Sequence, residues 1–307
     1  MKTDQNTEPK FRNLLEVQKC FPTEQSCIDY MIHRRWNDKP VCVHCGSSRK
    51  IYKMNGGKLL KCADCRKQFS VRVGTIFEDS ALPLQKWFYA IYIFSAHKKG
   101  ISSCQLGKDI SVRQATAWHM LHRIRESMRP KTNDSQLKNI VEADETYIGG
   151  KKHKGKRGRG SENKTPVFGM LERQGDVRTM PVERVNGQTL KGLIRKNIDL
   201  NATIMTDEWT AYNGLGKEFS SHEVVNHGRK EYVRAGSIHV NNIENFWSLL
   251  KRGIFGIYHH VSPEHLSRYC DEFQFRYNSR KDEDKLRFTA MLEHCEGRLM
   301  YKTLVGK

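Results

Sequence analysis

Acidic charge is scarce in this chain of 307 residues: 34 Asp and Glu face 53 Lys and Arg, for a net charge of +19. That deficit points to a polyanionic partner, and the clustering of the positive charge argues against solubility as its only purpose. Long apolar runs are missing too. The longest, Trp87 to Ala96, is far too short to span a bilayer. The opening MKTDQNTEPKFRN is polar and lacks the apolar centre of an export signal, so a soluble cytoplasmic protein is expected. No GxSxG elbow, phosphate-binding GKS/T loop or HExxH pair occurs, which excludes the chemistries those motifs serve. Nine cysteines cannot all pair, so a disulfide framework is a poor reading.

Four of those cysteines carry a stronger signal. Cys42-x-x-Cys45 and Cys62-x-x-Cys65 are separated by sixteen residues that read as a hairpin with Gly56-Gly57 at its tip. Four thiolates from two tight knuckles match tetrahedral Zn²⁺, and with no open position the ion would be structural. His44 lies inside the first knuckle but is not needed as a ligand. Cys20 and Cys27, seven apart, are expected on one face of a helical lead-in, packed in a core.

From Leu82 the pattern turns helical, with Leu84, Trp87, Phe88, Ile91 and Phe94 forming a broad apolar stripe. GISSCQLGKDISVRQATAWHMLHRIRESM reads as two helices around a turn at Lys108–Ser111. Ser111 and Gln114 are expected to form a capping box for the second helix. Arg113, Gln114 and Thr116 would then face outward near its N-terminus, as in a helix-turn-helix recognition helix. Pro130 and KTNDSQ mark a linker. From residue 139 strands alternate with helices: three strands, a helix at 187–196, a fourth strand TIMTD, a further helix after Glu208, a fifth strand at 220–226, then a long helix. The segments after Ser262 read as helices packed on that domain. Six of the nine residues Lys151–Arg159 are basic (Lys151, Lys152, Lys154, Lys156, Arg157 and Arg159), interleaved with glycine as in a loop that contacts nucleic acid.

Three carboxylates interrupt or end apolar runs. Asp144 sits mid-strand in VEADETYIGG, where a charge is costly unless paired or bound to a cation. Glu142 shares its face and Glu145 points the other way. Asp207 ends the TIMTD strand, although helix capping is an alternative use for it. Glu244 is followed seven residues later by Lys251 on the same helical face; its alternative is a capping box with Asn241. Asn241 and Asn242 stay open as replacements for Glu244. His259-His260 project about 100° apart on a helix, which favours a structural or DNA-facing role over a metal site.

With 62 residues between the two aspartates and 36 between Asp207 and Glu244, the acids resemble the Asp, Asp, Glu triad of ribonuclease-H-like transposases. The stretches KCADCRKQFSVRVGTIFEDS, VEADETYIGGKKH, TDEWTAY and NNIENFWSLLKRGIFGIYHH look like motifs of bacterial insertion-sequence transposases with an N-terminal zinc ribbon. The resemblance runs from about Phe21 to Asn278; the knuckle CVHC departs from it by lacking a proline. It implies a multidomain α/β protein: helical lead-in 1–37, zinc ribbon 38–80, helix-turn-helix region 81–130, linker 131–138, ribonuclease-H-like domain 139–260 and helical C-terminal region 261–307. It further implies Mg²⁺ (or Mn²⁺) at Asp144, Asp207 and Glu244, with Lys251 as the basic residue that follows. Double-stranded DNA is the implied partner, contacted also by Arg252, with a homo-oligomer pairing two element ends. Two other readings stay open: a DNA-binding regulator without catalysis, and a nuclease that cuts without joining.

Overall fold

The computed structural model describes residues 9–130, 135–149, 164–225 and 238–306. The chain divides into two compact units, the first made of residues 1–128 and 282–307 and the second of 129–281.

The first unit opens with α1 (Leu14–Cys20) and α2 (Glu24–Trp36). The expected single lead-in helix is thus two. Pro22 precedes a full capping box in which Thr23 accepts from the Ser26 backbone and the Ser26 hydroxyl accepts from the Thr23 backbone, starting a new helix. Cys20 and Cys27 therefore do not share a helical face, though Cys27 is buried. The ribbon follows as β1 (Ile51–Met54), β2 (Leu59–Cys62) and β3 (Gln68–Phe69), antiparallel in that order. Gly56 and Gly57 turn its first hairpin with left-handed φ of 63° and 90°, as the sequence suggested.

Three helices come next: α3 (Leu84–Ala96), α4 (Ser103–Asp109) and α5 (Gln114–Met128). Gly107 lets the last two approach, since a Cβ there would stand 2.9 Å from the Val112 carbonyl oxygen. Ser111 does not cap α5. Its backbone is left-handed (φ 52°) rather than extended, its carbonyl accepts from Lys86, and Gln114 turns its amide to Ser103.

In the second unit, β4 (Ile140–Gly149), β5 (Lys164–Glu172), β6 (Val177–Pro181), β7 (Thr203–Asp207) and β8 (Ser221–Val225) form one sheet in the order β6-β5-β4-β7-β8. The first three pair antiparallel; β7 lies parallel to β4 and β8 parallel to β7. This is the mixed α/β fold expected from the sequence. The helix expected after Glu208 is replaced by two short 3-10 turns, Thr210–Tyr212 and Leu215–Lys217. Helix α6 (Gly187–Asn197) covers one face, packing Leu190 and Ile194 against Val141, Ala143, Phe168 and Ile204. Helices α7 (Asn241–Gly253) and α8 (Pro263–Asn278) cover the other, where Ile243, Phe246, Trp247 and Leu250 meet Ile148, Val167 and Met205. Alternation along the central strand β4 thus sends Val141 and Ala143 toward α6 and leaves Glu142 and Asp144 on the α7 side. The edge strand β6 is covered by α8: Asn278 accepts from the Val177 N–H and donates to its carbonyl, and Gln274 accepts from the Thr179 N–H.

The expectation that every helix after Ser262 packs on the sheet is corrected for the last two, α9 (Asp284–Glu293) and α10 (Tyr301–Val305), which belong to the first unit. Phe288 of α9, fully buried, meets Phe11 and Phe88 edge-on at 5.2 and 5.6 Å between ring centres. Replacing Phe288 by Ala should cost about 3–5 kcal/mol. Hydrogen exchange read by mass spectrometry should show α3 peptides opening faster and β4–β5 peptides unchanged; the reverse pattern would contradict the assignment of α9.

Candidate metal and nucleic-acid site

The ribbon brings Cys42, Cys45, Cys62 and Cys65 together with their sulfurs all within 4.8 Å of one another. The Cys42–Cys65 and Cys45–Cys62 separations are 3.6 and 3.8 Å. Both are far too long for disulfides, whereas a tetrahedral ion with Zn–S bonds of about 2.3 Å sets its sulfurs about 3.8 Å apart. Burial opposes ionisation of Cys42, but the backbone N–H groups of His44 and Cys45 help bring its thiol down to about 6. His44 turns away from the sulfurs to the Gln68 carbonyl, so the donor set fits zinc without it.

On the second unit, an open cleft of about 710 Å³ is bounded by β4 on one side and α7 on the other. Asp144 reaches it from mid-strand. Its carboxyl is pushed up to about 7, mainly by burial, then by the Glu145 carboxylate and, more weakly, Asp207. Trp247 opposes this by donating its Nε1–H to Asp144 Oδ2 at 3.0 Å. Room for the indole comes from Gly169, which pairs with Asp144 across the β4–β5 ladder. A Cβ at Gly169 would stand 2.5 Å from Cη2 of Trp247. The next residue, Glu145, points toward the α6 side and accepts from the buried Tyr212 hydroxyl at 2.9 Å. Burial first, then Glu145 and Asp144, holds the Tyr212 phenol well above its usual range, so it stays a donor.

Helix α7 is positioned by the other acid of the strand. Glu142, fully buried, accepts from the backbone N–H groups of Asn242 and Ile243, from the Asn242 side chain, and from Arg173 Nε at 2.7 Å. A carboxylate from β4 therefore caps the helix N-terminus, where the macrodipole also favours negative charge. The alternative use of Glu244, a capping box with Asn241, is absent: Val240 holds the N-cap position and makes no side-chain cap bond. Glu244 is left in the first turn, lining the cleft. Lys251, two turns on, lines it as well; burial lowers its pKa, Asp144 raises it and Lys164 lowers it further. Arg252 joins them.

Asp207 ends β7 as expected, but its Oδ1 accepts from the Trp209 N–H at 3.1 Å in a local turn, not at a helix start, and it is not among the residues lining the cleft. Among the described residues, the four cysteines are the one group gathered at metal-binding spacing; the three acids are not drawn in that tightly. Arg113 and Gln114 are exposed at the start of α5, with Thr116 half-buried beside them. The basic run Lys151, Lys152, Lys154, Lys156, Arg157 and Arg159 lies outside the described residues. His259 has a left-handed backbone (φ 61°) and bonds to the Phe255 carbonyl. Sequence reasoning placed Trp247 on the helical side between Glu244 and Lys251 but missed its bond to Asp144, Glu142 as a helix cap, and Gly169 altogether. A glycine in the middle of an otherwise apolar strand was the available signal.

Residues 136–278 match the family described as the ISXO2-like transposase domain, and residues 22–68 match the transposase zinc-ribbon domain. An "uncharacterized protein in transposable element ISH50" of Halobacterium salinarum is 28% identical over 295 residues, covering 90% of this chain and 98% of the relative. An "uncharacterized transposase-like protein" of Haemophilus influenzae is 27% identical over 124 residues, 40% of this chain and 97% of its own length. Among solved structures, a Mos1 transposase paired-end complex with the left transposon end aligns at 15% identity, covering 71% of this chain and 77% of that one, with a TM-score of 0.27. A Drosophila P element transposase strand transfer complex aligns at 12% identity, covering 65% of this chain and 58% of that one, with a TM-score of 0.25.

Two outcomes follow from this geometry. Gly169→Ala should cost about 1–3 kcal/mol by overpacking against Trp247. A double-mutant cycle in urea should show that most of this cost disappears in a Trp247→Phe background, whose shorter ring vacates the contested space; strict additivity would contradict the contact. Cys62→Ser should lose stoichiometric zinc and unfold the ribbon, since structural zinc contributes roughly 10–16 kcal/mol in small finger peptides. Metal analysis of the purified variant checks it.

Proposed function

We propose that this chain, whose residues 136–278 match the ISXO2-like transposase domain and residues 22–68 the transposase zinc-ribbon domain, is a transposase of an insertion element that binds the ends of its own element and catalyses metal-dependent phosphodiester cleavage followed by joining to a second duplex. The observation that carries this reading is the shared cleft, in which β4 presents Asp144 while α7 presents Glu244 and Lys251. Asp144, Asp207 and Glu244 would hold Mg²⁺ or Mn²⁺. Carboxylate oxygens are the donors such hard ions take, and Asp144, crowded by Glu145 and Asp207, has charge that a cation relieves. Bound by these residues, such ions would supply the activation of a water for hydrolysis and of a 3′-hydroxyl for strand transfer.

The chain's own groups do the rest. Lys251 and Arg252 neutralise phosphate beside the acids, and Trp247 holds the Asp144 carboxylate in one orientation through its Nε1–H. The zinc ribbon and the α4–α5 pair bind element-end DNA, with Arg113, Gln114 and Thr116 toward base edges. The basic run from Lys151 to Arg159 contacts backbone phosphates, which makes binding weaken with salt. Transposition needs two ends in one complex, so the active species is a homo-oligomer on DNA.

Asp144→Asn should abolish Mg²⁺-dependent nicking of element-end duplexes, a loss of at least about 10³-fold, with DNA affinity within twofold of wild type. Undiminished nicking would refute the role of Asp144. A strand-transfer assay into a target plasmid distinguishes a transposase from a nuclease that only cuts, and a wild type that binds without cutting would support the regulator reading instead.

A further inference from the structure

Seen along its axis, the cleft-facing side of α7 and the wider turn that follows it changes chemistry in steps. Glu244, Trp247, Ser248, Lys251, Arg252 and Phe255 all line the cleft, a spacing of three and four residues that keeps them on one face. Acid stands at the N-terminal end, cationic groups stand in the middle, and an aromatic ring stands at the far end. The helix ends in a π turn, Ile254–Tyr258, that carries Phe255. More than half of the Phe255 surface is exposed (52%), whereas its neighbour Ile254 is buried in the core. A phenylalanine left half exposed on the same cleft-facing side as Lys251 and Arg252 gives only part of its ring to the packing of its own unit. Its Cα lies roughly one turn, or about 6 Å along the axis, beyond that of Lys251.

We infer that Phe255 is a stacking platform for an unpaired nucleobase, the base adjoining the phosphate that Lys251 and Arg252 neutralise. This rests on the transposase reading and names a subsite within it. The ligand follows from complementarity: a nucleotide is an anion joined to a flat π face, and the helix offers cations followed by an aromatic ring. An aromatic ring binds bases with little regard for sequence, at about 1–3 kcal/mol each. A duplex hides its base faces, so the platform acts on a base that is frayed, flipped or left single-stranded at a cut end. Phosphate contacts alone hold a strand by its charge; a stacked base next to them fixes which nucleotide stands at the acids.

The test uses the full chain and duplexes taken from the DNA flanking its reading frame, either blunt or with a three-nucleotide 3′ overhang carrying 2-aminopurine at the junction. Ca²⁺ replaces Mg²⁺ so that binding is read without cutting. Wild type is expected to quench 2-aminopurine and to prefer the overhang. Phe255→Ala should lose the quenching and about tenfold of that preference, while Phe255→Trp keeps both. The salt dependence should stay unchanged in either variant, because no phosphate contact is lost. Wild-type quenching and preference in Phe255→Ala, with wild-type nicking intact in Mg²⁺, would overturn this inference and leave the transposase reading standing. So would a change in oligomeric mass with the preference unaltered, which assigns the ring to a second copy of the chain. A wild type that neither binds nor cuts these duplexes overturns both.

Discussion

The carboxylate of Glu142 holds the second unit's site together. It sits fully buried on the central strand of the sheet, where an unpaired charge would cost several kcal/mol. Arg173 supplies the counter-charge, the Asn242 and Ile243 N–H groups in the first turn of α7 supply directed donors, and the His239 ring stands 3.4 Å away. Because those donors belong to a helix N-terminus, satisfying the acid and docking the helix are one event. Strand β4 thereby sets the position of α7 at a point two residues from Asp144. Every other feature of the cleft inherits that register: Glu244 comes one turn in, Trp247 over Gly169, and Lys251 another turn beyond.

Some of this was legible from residue order and some was not, for reasons that differ by element. Period-two alternation in VEADETYIGG put Glu142 and Asp144 on one face and Glu145 on the other, and the packing of Val141 and Ala143 against α6 agrees. The cysteine knuckles were readable because their spacing is local and their chemistry admits few alternatives. One cap was misread: Ser111-x-x-Gln114 has capping-box form, yet its serine is left-handed. Asn241-x-x-Glu244 has the same form and stood only as an alternative, and its helix takes its cap from a strand 100 residues away. A local pattern can predict a local hydrogen bond only while no distant group competes for the same donors. The same limit explains α9: its apolar residues announce burial without naming the surface that buries them, and Phe288 lies among Phe11, Phe21 and Phe88.

Asp207 shows a different limit. Its place at the end of a parallel strand was predictable, and β7 ends there. What its side chain does depends on the next two residues: Trp209 closes a turn onto Oδ1, and Thr210–Tyr212 bring Tyr212 under Glu145. Tyr212 thereby connects the strand end carrying Asp207 to the strand carrying Asp144 through a single buried hydrogen bond. The coupling is electrostatic as well, since Asp144, Glu145 and Asp207 all act on the Tyr212 phenol.

The energetics of Asp144 argue against a purely structural purpose for this arrangement. A packing role at mid-strand would be met by an apolar residue, and a hydrogen-bonding role toward Trp247 Nε1 by a neutral amide. Instead the position holds an acid whose ionised form is disfavoured by burial and by two more carboxylates, with the Glu145 backbone N–H and the Trp247 indole N–H as partial compensation. Gly169 adds to the cost, because glycine in a strand interior contributes no packing of its own and is needed only to admit the indole. Mutually repelling acids on rigid elements are unfavourable for folding, and a bound divalent cation, as the proposed function requires, would relieve that repulsion. The sheet is stabilised elsewhere, by the Glu142 cap and the apolar faces of α6 and α7, and it carries one costly buried acid that the proposed metal-dependent function would put to use.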